Sequence, residues 1–177
     1  MSLTDREFWA LIHGMVLGTL FLLAFGGGIA GLWSLRGSLV TEDGVRERTP
    51  RLLLGTTVMA FVAWLTVIVG TWIVYPWYRA ASPKGTTDLT QFPKELLVSN
   101  PNTAQWHNFG MEWKEHVAFL APLLATAVAF AVIYYGTQLI RRGEVRRAML
   151  IFFTLSFAAA AIAGLFGALI TKAAPVA

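Results

Sequence analysis

Three histidines, His13, His107 and His116, are the residues of this 177-residue chain most able to carry chemistry. His13 and His116 fall inside long apolar runs, where an ionisable side chain is costly and by default functional. A neutral imidazole offers one nitrogen as a metal ligand and the other as a hydrogen-bond donor. Glu112 stands four residues before His116, on the same helix face. With His107 or His13 it offers a weaker alternative, a surface Zn or Cu site. His107 lies nine residues before His116, two and a half α-helical turns, so the two rings would point oppositely on one helix. The simplest account of Glu112, Lys114 and Glu115 is a solvated helix start, with acids favoured there by the helix dipole.

The elements that must position these residues are membrane spans. Hydrophobic residues make up 56% of the chain and charged residues 14%, against ~25% charged in a typical soluble domain. Four runs have the ~20 mostly apolar residues that a spanning helix needs: about 8–35, 52–75, 112–139 and 148–171. The expected fold is therefore all-α, an integral membrane four-helix bundle forming a single transmembrane domain over residues 1–177. Asp5, Arg6 and Glu7 give the first run a mixed-charge start. With its length, this argues for a retained span rather than a cleaved signal. Pro122 inside the third run predicts an interruption near residue 118, whose carbonyl loses its donor.

Two connections are short, and the one at 76–111 is long and punctuated by Pro76, Pro83, Pro93 and Pro101. Residues 103–109 are expected to form a short interfacial helix. The two short loops hold Arg36, Arg46, Arg48, Arg51, Arg141, Arg142, Arg146 and Arg147. The opposite side has the remaining six basic residues, Arg6, Arg79, Lys84, Lys94, Lys114 and Lys172. The positive-inside bias then puts both termini and the long loop on the extracytoplasmic side, in a prokaryotic inner membrane. The net charge of +4 is a topology signal rather than a nucleic-acid stripe. The absence of cysteine excludes disulfides, thiolate metal sites and covalent c-type haem within this chain. No phosphate loop, dinucleotide fingerprint or Ser–His–Asp set is present.

With this topology His13 and His116 reach similar depth on two different helices. Two such imidazoles can ligate one haem iron from both sides, in an apolar slot between helices. Gly14 and Gly18 would let a flat ring approach the first helix, and Trp113 would flank His116. Arg6, Arg79 and Lys114 are available to haem propionates. In this layout the chain resembles small four-helix b-type cytochrome subunits of membrane oxidoreductases. The resemblance implies one haem b held by His13 and His116, and electron exchange with quinol or a periplasmic partner. Many such subunits carry four ligands and two haems, whereas the arginine-rich half of this chain has no histidine. The competing expectations are a cofactor-free structural or assembly subunit of a larger respiratory or photosynthetic complex, and a pigment-binding subunit using single histidines. The long loop, expected to lack a core of its own, would then dock other subunits. Small residues at Gly27 and Gly31, and at Gly164 and Ala168, are expected to serve helix packing.

Overall fold

The computed structural model describes residues 3–37 and 41–175. It is all-α, with four helices long and apolar enough to cross a membrane: α1 (Asp5–Ser34), α2 (Glu42–Tyr78), α4 (Pro101–Arg141) and α5 (Gly143–Ala173). The short α3 (Pro93–Ser99) lies between α2 and α4. Thr4 starts α1 through a capping box with Glu7: each side chain accepts from the other residue's backbone N–H, at 3.2 and 2.8 Å. Thr41 Oγ1 accepts from the Gly44 N–H and so starts α2, with Glu42 and Asp43 in its first turn. Asn100 caps α4 by accepting from the Asn102 N–H, and Pro101, which has no N–H to leave unpaired, sits next to it.

All four long helices run beyond their apolar cores. The polar stretch 42–51 is the first part of α2, and residues 103–109 are the first part of α4 rather than a separate interfacial helix. Gly110 does not break the helix: it is buried within α4 against Phe166. The link between α2 and α4 shrinks to residues 79–100. That link also has a core: Leu97 is fully buried with Tyr78, Met111, Ile170 and Ala174. The expectation of a coreless loop therefore gives way to a lid of helical turns fixed by one leucine.

By contacts the chain forms two compact units. The first comprises Met1–Gly18, Leu65–Phe119 and Ala160–Ala177. It holds all the π-helical turns among the described residues, at Ile12–Val16, Gly70–Val74, Trp106–Met111 and Trp113–Val117. These wide turns are rare and recur at functional sites. The last is followed by a turn at residues 118–119, where Pro122 cannot donate to the Ala118 carbonyl.

The second unit comprises Thr19–Trp64 and Leu120–Ala159. Phe153 is fully buried there and stacks on Phe25 at 5.3 Å, and Phe25 stacks on Phe157 at 4.1 Å. Gly28 faces Phe153, and Gly31 faces Leu52. Gly27 and Gly164 instead face open space, so Gly28 with Gly31 forms the packing face. Among the described residues the two fully buried hydroxyls are satisfied: Thr56 donates to the Leu52 carbonyl at 2.9 Å, and Ser156 to the Ala121 carbonyl at 2.7 Å. Large apolar side chains such as Leu23, Phe61, Phe130 and Ile133 stay more than 60% exposed. A surface of that kind suits lipid rather than water.

Candidate functional site around His13 and Lys114

His13 lies in the first unit, with Gly70, Thr66 and Lys114 as its neighbours. Its ring lies against Gly70, where a Cβ would come within 2.8 Å of Cε1. Only glycine admits the ring in this position. The Thr66 main chain, one helical turn before Gly70, is a hydrogen-bond partner of the ring. Nδ1 is buried and has no partner among the described residues, which leaves Nε2 as the nitrogen on Thr66. A neutral imidazole protonated at Nε2 presents a lone pair at Nδ1.

Lys114, in the π-helical turn Trp113–Val117 of α4, is the charged neighbour of His13. Its Nζ packs against Gly167 of α5, 2.9 Å from where a Cβ would stand. No ion pair or hydrogen bond reaches this half-buried ammonium among the described residues. Glu115, the next residue, accepts a 2.5 Å hydrogen bond from Tyr75 Oη. Arg79 Nη1 donates to the same Tyr75 oxygen at 3.1 Å, with its guanidinium over the Tyr75 ring. Tyr78 Oη and His107 Nδ1 form a further pair at 2.8 Å.

The other candidates are distributed as follows. His116 does not turn inward: its side chain is 70% exposed, with Nδ1 3.1 Å from the Glu112 carbonyl and 3.3 Å from Glu112 Oε2. Gly14 and Gly18 leave open space where their side chains would be. Trp113 packs at a tilt on Phe166 and Phe109, with centroids 6.3 and 6.4 Å apart. Arg6 is tied to Gln91, through its carbonyl at 3.3 Å and its Oε1 at 3.4 Å. Among the described residues no group of three His, Asp or Glu side chains is close enough to share a metal ion. His107 and Glu112 thus engage different partners, Tyr78 and His116.

Sequence reasoning missed Thr66, Gly70, Tyr75, Glu115 and Gly167. A glycine in the middle of a long apolar run, as at 70 and 167, was the only available signal. Glu115 carried none, because its hydrogen-bond partner, Tyr75, lies forty residues earlier. Comparison of the chain with protein-family models, with curated proteins and with solved structures gives no match.

Proposed function

We propose that this chain is a membrane subunit of a respiratory or photosynthetic electron-transfer complex. It holds one b-type haem through His13 and exchanges electrons with quinol or a partner protein on the side of the long loop. The observation that carries the reading is the buried, unpartnered Nδ1 of His13, with the opposite ring nitrogen on a main-chain acceptor. A hydrogen bond from the far nitrogen to a carbonyl is how ligating imidazoles are held in one tautomer and orientation. An orphaned buried acceptor costs about 1–3 kcal/mol, and a bond to iron would offset that cost. The haem iron would supply reversible one-electron transfer. The chain's own contribution is orientation by Gly70 and Thr66, open backbone at Gly14 and Gly18, and positive charge from Lys114 and Arg79 for the propionates. His116 would be the second ligand, which would require it to leave Glu112.

The second reading, a cofactor-free structural subunit, draws support from the exposed His116–Glu112 pair, since a two-histidine set is not assembled in advance. The deciding experiment is a reduced-minus-oxidised visible spectrum of the native protein with pyridine haemochrome quantification. About one haem b per chain, lost in His13→Ala, is expected. His116→Ala should give a five-coordinate haem spectrum. A featureless spectrum from intact native complex eliminates the haem reading and leaves the structural one; long-wavelength bands would indicate a pigment instead.

A further inference from the structure

The arginine-rich ends of the helices carry eight guanidinium groups, and most are already engaged. Arg51 pairs with Glu47 at 2.6 Å, and Arg147 lies 3.9 Å from Glu144. Arg36 and Arg142 lie over Trp33 and Tyr135. Arg48 and Arg146 donate to carbonyls, of Ser34 at 3.5 Å and of Leu139 at 3.1 Å. Arg46 and Arg141 are exposed and have no such partner among the described residues, and of the two Arg46 shares its helix face with a run of apolar residues.

Arg46 heads a stripe. Pro50, Leu53, Leu54 and Thr57 follow at helical spacing, so they share its face of α2. With Ile133 of α4, these four residues line a groove of ≈ 410 Å³. Leu54 and Ile133 are 66% and 63% exposed. The groove extends over seven residues of helix, about 10 Å, within the ~15 Å depth of one hydrocarbon leaflet. Arg46 lies one turn further toward the helix end, about 6 Å from Pro50 along the axis. An unpaired guanidinium thus stands one helical turn from a shallow, open apolar groove on the same face of α2.

We propose that this feature is a binding site for one anionic phospholipid, with Arg46 on the phosphate and an acyl chain in the groove. A guanidinium forms two parallel hydrogen bonds to phosphate oxygens, and Arg46 is held in no ion pair among the described residues, although Glu42 and Asp43 lie one turn before it. The continuity of charge and groove on one helix face singles out a lipid over a free anion, which would use only the upper half of the site.

Native mass spectrometry of the detergent-purified protein, offered equal phosphatidylglycerol and phosphatidylcholine, tests the assignment. Phosphatidylglycerol should be retained preferentially. Arg46→Gln should lower its retention about five-fold, the effect of removing one interfacial arginine. Thr57→Trp, which fills the groove, should lower retention of the same lipid with Arg46 intact. Arg147→Gln removes a guanidinium that already has a partner and should change retention by less than about two-fold. Each variant is compared only where its elution volume and melting temperature match the parent. Equal retention of the two lipids would overturn the site, as would an Arg147→Gln effect as large as that of Arg46→Gln. Loss with Arg46→Gln but not with Thr57→Trp, or displacement of the lipid by millimolar inorganic phosphate, would reduce it to a headgroup contact and overturn the groove.

Discussion

A methyl group at position 70 acts directly on His13. In Gly70→Ala the new Cβ would stand 2.8 Å from His13 Cε1 and 3.4 Å from each ring nitrogen. Carbon pairs settle at about 3.5–4.0 Å, so the ring must retreat by about 0.7–1.2 Å. Cε1 lies between the two nitrogens, and its retreat should pull Nε2 away from the Thr66 main chain. Losing that bond costs about 0.5–1.5 kcal/mol, while alanine in a helix interior gains roughly 0.5–1 kcal/mol over glycine. The two offset, so the unfolding free energy should stay within about 1 kcal/mol of the parent. The site should not survive so well, because an unanchored imidazole is a weaker ligand. Haem per chain should fall, and the midpoint potential of the remaining haem should shift. Haemochrome content, potentiometric titration and a melt followed by circular dichroism provide the readouts. Gly164→Ala, which meets open space, is the control and should alter none of them. A Gly70→Ala protein with the haem content and potential of the Gly164→Ala control would refute the assignment of His13 as a ligand held by Gly70 and Thr66.

Two further outcomes follow from the packing and the charges. Gly28→Ala would place a Cβ 2.6 Å from two atoms of the Phe153 ring, which is fully buried and stacked on Phe25. With nowhere for the ring to go, thermal melts in detergent should show a loss of about 1–3 kcal/mol. Gly27→Ala meets open space and should melt no lower than the parent. Glu95 accepts from the Ser82 N–H at 2.9 Å and from its hydroxyl at 2.6 Å, and these bonds hold the carboxyl below the usual range. Because the folded value is the depressed one, the Ser82–Glu95 contribution is complete above the ordinary carboxylate pKa. It is lost as pH falls through the lowered folded value. In an NMR titration Ser82→Ala should move the Glu95 midpoint upward, and an unmoved midpoint would show that the hydroxyl bond does not set it.

Four long apolar helices were readable from composition and run length, because a span must satisfy its backbone internally and cover it with apolar side chains. Those requirements are local, and a single sequence displays them. Helix ends were less legible. Glu42–Arg51 and Pro101–Met111 are polar or punctuated, yet they are helical, since caps at Thr41 and Asn100 start the helices before the apolar runs begin. The histidines stood out as candidates, since an imidazole in an apolar run is exceptional by type alone. Their individual environments were not legible. His13 and His116 were placed at one depth by counting residues, but the π-helical turns at 12–16 and 113–117 change the winding that such counting assumes.

Residue type and spacing, then, determined that the chain is helical, that four of its helices suit a membrane, and which imidazoles to examine. Tertiary structure alone decided that His13 is pressed against Gly70 with one nitrogen on Thr66 and the other orphaned. It also turned His116 outward onto Glu112, buried Leu97 beneath the link between α2 and α4, and left Arg46 free above a groove. Each of these rests on distances of a few ångströms between residues tens of positions apart, and such distances are set by close packing rather than by the periodicity of any one segment.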